Sequence, residues 1–530
     1  MEIKNNIKLS LEQGAAVVAD LAPDLSSQTL AKILRVRKAY LLRRSVDARK
    51  RDSMCFIATV GLGEGPDAPQ AVVPLEQRDL PRCMDGVRPV VVGAGPAGLF
   101  AALELAEMGM RPIVIERGAP VEERTADVEL YRSTRKLNTA SNVQFGEGGA
   151  GTFSDGKLTC GKNSPHTAQI LDTFVAAGAP QEILWQAKPH IGTDILGGVV
   201  ARIRKRIVVC GGEVRFHTQL VGIKESGGKV IAAVVESADG VDEIPTDSII
   251  LATGHSARDT FEMLKEAGLE MAPKPFSMGV RIEHPQSLID RALYGTAAGN
   301  PALAAADYKI NVHLPNGRGV YSFCMCPGGE VVAASSEEGS LCVNGMSKQA
   351  RAGRNANAAL LCSVEPKDFA SYGRGAGDPL SGVAFQRKWE RAAFELGGSD
   401  WHAPIQTVGS FARMSKGRKK PVKVNPTYPL GVKEANLRKC LPSFVSDSLR
   451  DALPMLNQKL VGFNNPGAVM TGIEARSSSP VRIVRDAETL QATRLAGLYP
   501  CGEGAGYAGG IMSAAIDGIK VAEAIIDAEG

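Results

Sequence analysis

Apolar and polar positions along the chain alternate between two periods, and the changes of period mark out its elements. Val90, Val91 and Val92 form a short β-branched run that suits a strand covered on both faces. Leu99 to Met108 is rich in Ala, Leu and Glu, which predicts a helix, and Gly109 stands where it should end. Pro112 to Ile115 predicts a second strand. Between the first strand and the helix lies Gly93-Ala94-Gly95-Pro96-Ala97-Gly98, a G-x-G-x-x-G turn. Gly93 admits the tight turn, Gly95 lets the backbone approach a pyrophosphate, and Gly98 lets helix close on strand. The helix N-terminus offers unpaired N–H groups to the phosphates. Glu116 and Arg117 follow the second strand roughly twenty residues after the turn, where a carboxylate accepts hydrogen bonds from a ribose. Strand, turn, helix, strand and acid in this order predict a dinucleotide-binding unit.

The pattern before this unit predicts a separate small α+β domain over 1–86: strands at Ile3–Leu11, Ala39–Val46 and Cys55–Leu62, and helices at Gln13–Leu21 and Ser26–Leu34. After it, SNVQFGEGGAGTFSDGKLT (141–159) is too rich in glycine, serine and threonine to form a core. Its plain reading is a long surface loop. The favoured one is a cofactor-contacting loop whose backbone N–H groups approach the ligand, with Gly149, Gly151, Thr152 and Ser154 as contacts. An apolar strand, Asp247–Thr253, runs into Ala252-Thr253-Gly254, which puts Thr253 and Gly254 at the ligand-facing end of a sheet. Near the C-terminus a strand, Leu495–Pro500, leads into a second glycine-rich turn and a helix, Ile511–Ile526. Gly502, Glu503, Gly504, Gly510 and Ile511 are the candidates there, with Glu503 set to bond ribityl or ribose hydroxyls.

Composition narrows the class. At 530 residues the chain should hold two or three domains. No apolar run approaches the roughly 18 residues that a membrane span needs, and the charged N-terminus lacks the apolar stretch of a secretory signal. Ten cysteines are scattered without a C-x-x-C, which argues against zinc, an iron–sulfur cluster or a disulfide framework, and a reducing cytoplasm is the expected location. No metal site is expected. Residues 1–51 hold eleven Lys or Arg against five Asp or Glu, whereas the whole chain carries only +4. The cluster Arg43, Arg44, Arg49, Lys50, Arg51 is read as a solvated or docking face, with RNA as the alternative partner. RMSKGRKKPVK (413–423) is read as a solvated basic loop.

Several long strings belong together: GAGPAGLFAAL, SNVQFGEGGAGTFSDGKL, LATGHSARDTF (251–261), GVRIEHPQ, VYSFCMCPGGEVV, EARSSSP and YPCGEGAGYAGGIMSAA. In them the chain resembles the bacterial FAD-dependent dehydrogenases of uncharacterised function, distant relatives of the glutathione-reductase-like flavoproteins. Ser477 departs slightly from that pattern, where threonine is expected. The resemblance implies an α/β fold: a Rossmann-like FAD-binding domain, discontinuous over 87–260 and 466–530, with an inserted α+β substrate domain (261–465) beside the small N-terminal one. It implies FAD and a small-molecule substrate, but names no substrate. Only at Gly93–Gly98 does a G-x-G-x-x-G lead into a helix, a second strand and an acid, which argues against a second nucleotide domain; NAD(P)H and an electron carrier protein both stay open as redox partners. An oxidoreductase using non-covalent FAD on an anionic small molecule is therefore expected; a flavoprotein acting on RNA and a non-catalytic flavin-binding partner are the alternatives. Arg281, His284, Arg476 and Cys326 are the candidate catalytic residues: arginines for bidentate anion recognition, histidine as acid or base, and a thiol on one strand face with Cys324. The plain alternatives are an Arg–Glu pair joining two domains and cysteines that only pack.

Overall fold

The computed structural model describes residues 1–50, 53–161, 164–375, 377–414 and 423–529. Most of the expected basic loop, residues 415–422, and Arg51 of the N-terminal cluster lie outside the described residues.

The Val90–Val92 strand is central in a five-stranded sheet. Its order is Leu498–Pro500, Ile249–Leu251, Val90–Val92, Ile113–Ile115, Glu213–Arg215, and every pair is parallel. Helices Pro96–Glu107, His166–Ala176, Thr193–Val209 and Ile511–Glu529 cover one face. A three-stranded antiparallel sheet (Gln219–Ser226, Lys229–Ser237, Gly240–Pro245) and helix Arg258–Glu266 cover the other. Burial on both faces explains why these strands are continuous apolar runs without alternation. This is a Rossmann-like α/β fold whose sheet takes four strands from before residue 252 and the fifth from after residue 497.

The intervening chain builds a seven-stranded mixed sheet ordered Asn311–His313, Gly319–Cys326, Asn355–Val364, Phe276–Pro285, Val469–Glu474, Ala403–Thr407, Val432–Glu434. Helices Ser381–Gly397 and Ser443–Lys459 pack on it around the largest apolar core. We call this the cap.

At the N-terminus, strands Glu2–Leu9, Cys55–Leu62 and Ala39–Asp47 form a sheet under helices Leu11–Ala19 and Gln28–Leu34. Ser10 closes the first helix with a capping box, and Ser27 caps the second. This unit docks through Trp185, which is buried in its core. Arg44 lies between the Phe56 and Trp185 rings, 4.1 and 4.8 Å from their centroids. The following segment runs onto the nucleotide domain: Leu75 is buried in that domain's core, and Arg206 donates to the carbonyls of Arg78 and Asp79.

The glycine-rich segment 141–159 corrects the surface-loop reading, because residues 141–148 are all buried. Arg124, fully enclosed, donates to the carbonyls of Asn142, Val143, Gly146 and Glu147. Those bonds satisfy polar backbone that could not otherwise be buried. Val143 and Phe153 then pack on cap residues Val332 and Ala334. No helix among the described residues is long and apolar enough to cross a membrane.

Candidate functional site

The first glycine turn opens onto a cavity of ≈ 670 Å³ that runs from the C-terminal edge of the nucleotide sheet to the cap sheet. Gly93 has φ +104, and a Cβ there would meet the Ala252 carbonyl at 2.5 Å. Gly95 is the N-cap of helix Pro96–Glu107, with Pro at N1. A Cβ on Gly95 would meet nothing nearer than the Gly149 Cα at 3.7 Å, so it would project into the cavity. Gly254, Gly509 and Gly510 also line the cavity, and added Cβ atoms there would meet open space. Backbone laid bare at these points, beside a helix N-terminus, is a cradle that fits a dinucleotide.

Glu116 lines the same end. Its Oε2 accepts from the Ala94 N–H, and its Oε1 from the N–H groups of Gly118 and Gly146. Three of about four acceptor positions are thus used, which leaves one for a ribose hydroxyl. Arg117 stacks 4.6 Å from the Phe145 ring centroid and donates to Asp259 and Thr260. Pro96, Ala97, Gly149, Gly151, Ser154 and Thr253 line the cavity, as do Glu503, Gly510 and Ile511.

Four expected contacts sit behind the wall instead. A Cβ on Gly98 would lie 1.8 Å from the Gly93 carbonyl oxygen, so this glycine serves helix–turn packing. The Thr152 hydroxyl turns inward to the Glu147 carbonyl. The Gly502 N–H is taken by Asp517. Gly504 packs on Gly254.

At the cap end three of the four catalytic candidates need correction. His284 is fully buried away from the cavity, donates from Nε2 to the Phe463 carbonyl at 2.7 Å, and is pushed down to about 4 by burial. Arg281 is also fully buried; it reaches Glu474 at 2.7 Å, the Cys324 carbonyl and Asn344, and so holds wall residues without facing the cavity. Cys326 is closed off, and Cys324 is the thiol on the wall. A break in strand register between Phe323 and Cys326 cancels the alternation that would have put both on one face.

Arg476 does line the cavity, but its fork is engaged: Nε and Nη2 bind Glu390, each at 2.8 Å, and Nη1 reaches Ser336 and Ser256. Arg258 grips the same Glu390 from the other side, and the two arginines, against the cost of burial, hold its carboxyl at about 2. His255, also on the wall, is pushed down to about 3 by burial and by the Arg476 and Arg258 charges.

Sequence reasoning missed Lys157, Tyr308 and Glu474 among the wall residues. Burial pushes Glu474 up to about 7 in spite of Arg281, and pushes Glu503 up to about 7 as well. Lys157 stands in the glycine-rich motif and Glu474 in the EARSSSP motif, two steps from Arg476, so both strings already carried the signal. In the N-terminal basic cluster Arg44 is enclosed by its aromatic neighbours and Arg49 pairs with Asp47.

Comparison with known proteins agrees with this geometry. Residues 88–126 match the FAD binding domain family, and residues 275–477 match the family described as FAD-dependent protein, C-terminal domain-like. A protein of Clostridium beijerinckii, itself uncharacterised, is 44% identical over 99% of this chain and 98% of its own length. The NADH:fumarate oxidoreductase of Klebsiella pneumoniae is 25% identical over 33% of this chain and 21% of that protein. Among solved structures, a flavocytochrome c3 fumarate reductase aligns over 83% of this chain and 78% of its own at 12% identity, TM-score 0.33. Glycine oxidase from Bacillus cereus aligns over 84% and 96% at 10% identity, TM-score 0.30. With the dinucleotide cradle, the two family matches and the full-length relative taken together, the chain belongs to the FAD-dependent protein family of FAD-binding flavoproteins.

Proposed function

We propose that the protein is an FAD-dependent oxidoreductase that holds its flavin non-covalently and moves a hydride to or from a small anionic molecule. The observation that carries this reading is the single continuous cavity, which begins at the Gly93–Gly98 turn and ends on a wall of ionisable cap residues. Bound FAD would supply a ring that takes up or gives out a hydride. The protein's part is to bind and orient. Glu116, Gly95 and the helix N-terminus hold the adenosine and pyrophosphate end, while Gly149, Gly151, Gly510 and Ile511 border the ring end. Glu474 and Glu503, with carboxyls raised to about 7, hold a proton near neutral pH at that end. Lys157, Lys188, Lys309 and Arg351 also line the cavity and favour a negatively charged substrate. The name of the Klebsiella relative is in line with a small carboxylate as that substrate and with a nicotinamide nucleotide as donor.

Acid precipitation of the purified protein should release FAD into the supernatant. Under anaerobic conditions NADH or NADPH should bleach the bound flavin, and a member of a panel of small carboxylates should restore its colour. A protein that stays colourless after incubation with FAD overturns the cofactor reading. Flavin that is bound yet neither bleached by any donor nor reoxidised by any substrate reduces the protein to a flavin-binding partner.

A further inference from the structure

We propose that Cys324 and Cys326 form a redox couple on the ring-end wall of the cavity, a dithiol that closes to a disulfide as it passes an electron pair to bound FAD. The proposal rests on the reading of the cavity as an FAD site. The balance is closed: both S–H bonds break, one S–S bond forms, and two electrons and two protons convert FAD to its dihydro form. The reverse step reopens the disulfide. No other oxidant or reductant is needed.

The backbone folds Cys326 back onto Cys324. In a regular strand, residues two apart point to one face with their side chains about 7 Å apart. Here Gly319–Cys326 runs in register with Asn355–Val364 as far as Phe323↔Ala359 and resumes at Cys326↔Asn357, so one extra residue is inserted on the cysteine strand. Cys324 takes φ +40. The Cys326 thiol then lies 3.3 Å from the Cys324 carbonyl oxygen. Backbone conformations of this kind persist only where the surroundings enforce them. Here two cations do so: Arg281 donates to the Cys324 carbonyl at 2.8 Å, and the Lys157 ammonium donates to the Met325 carbonyl.

The surroundings suit an exchange of electrons better than packing. Cys362 and Cys440 lie in the cap's apolar core. Cys326 is as deeply buried, yet its neighbours are Arg281, Asn357 and Tyr308. The Asn357 side-chain amide and the Tyr308 hydroxyl are buried without a hydrogen-bond partner among the described residues. Buried polar groups left open in this way call for a reason, and a redox centre that must shed and regain protons supplies one. The asymmetry of the pair also fits. The Cys326 thiol, then Arg281 and Lys157, lower Cys324 to about 6, whereas burial raises Cys326 well above the usual thiol range. Cys324 is therefore the more acidic thiol, on the cavity wall, and Cys326 the resolving thiol behind it.

The test is an anaerobic dithionite titration of the FAD-loaded full-length protein after mild oxidation with diamide, with parallel peptide mapping of alkylated thiols. The wild type should take up four electron equivalents per flavin, and Cys324→Ser and Cys326→Ala two each, with flavin still bound. A Cys83→Ala control, altered at an exposed thiol, should keep four. Mapping should recover the 324–326 peptide two mass units light after diamide and doubly alkylated after reduction. Uptake of two equivalents by the wild type, with both thiols alkylated after diamide, overturns the couple. Should the protein bind no FAD, the mapping of the FAD-free chain still decides whether the disulfide forms, so the two readings fail separately. Should Cys326→Ala fail to fold, Cys324→Ser carries the same comparison.

Discussion

Glu390 shows how little a buried charge can be judged by sign alone. It is fully buried between Arg258 and Arg476, and it reaches each of them through two hydrogen bonds. Removing its charge leaves Arg476 buried without a carboxylate partner and Arg258 with Glu337 alone, a loss of up to about 3–5 kcal/mol. Glu390→Gln should therefore unfold at markedly lower urea concentration than the wild type. Its carboxyl sits at about 2 in the folded protein against 4.5 in a free chain. The stability it contributes is complete above pH 4.5 and is lost as pH falls towards 2, on the order of 3 kcal/mol. The wild type should show that acid-side slope in equilibrium unfolding, and Glu390→Gln should lack it. Glu503 runs the other way. Its folded carboxyl is raised to about 7 by burial, so the folded FAD-free protein holds a proton that the unfolded chain has released. Its contribution is present below pH 4.5 and disappears as pH rises through 7. Glu503→Gln should flatten that decline and be the more stable form at pH 8, read by thermal unfolding across pH. The same residue scale explains the misread candidates. His284 and Arg281 stand in a strand buried along almost its whole length on both faces, so the pattern carried no sign of which side met the cavity.

Elements differ in how much of their geometry is local. Strand Val90–Val92, its turn and helix Pro96–Glu107 lie within eighteen residues of one another, and turn glycines, Pro at N1 and helix composition all act over that range. They were legible for that reason. Phe276–Pro285 pairs with Asn355–Val364, a partner about 75 residues away, and no local signal sets that register. The bulge at Cys324 is equally invisible to an alternation rule. Two substitutions separate cradle from scaffold. Gly95→Val should leave the circular dichroism spectrum unchanged and abolish FAD retention on gel filtration, because its side chain enters the cavity. Gly518 lies in the closing helix, and a Cβ there would meet the Ala97 carbonyl oxygen at 2.1 Å. Alanine is the better helix former by about 1 kcal/mol, whereas a close contact of this kind costs about 1–3 kcal/mol. Gly518→Ala should therefore lower the melting temperature and loosen FAD binding, although it touches no part of the cavity.

At the scale of the whole molecule, the N-terminal unit and the nucleotide domain share more than a linker. Trp185 belongs to the core of the first and Leu75 to the core of the second. Deleting residues 1–62 should expose Trp185 and lower solubility while FAD is still retained. Deleting 1–86 removes Leu75 as well and should cost further stability, measured as melting temperature and flavin content of the two truncations side by side. The nucleotide sheet has a consequence of another kind. Its edge strand, Leu498–Pro500, hydrogen-bonds to Ile249–Leu251 across about 250 residues of chain. At roughly 5–20 residues per second of synthesis, some 12–50 s separate the appearance of the two strands. Throughout that interval the first four strands wait with an open edge, and the half of the cradle made by Glu503 and Gly510 does not yet exist. A ribosome that stalls anywhere in the cap thus leaves a colourless chain, and the yellow of a finished preparation becomes a count of molecules read to their last helix.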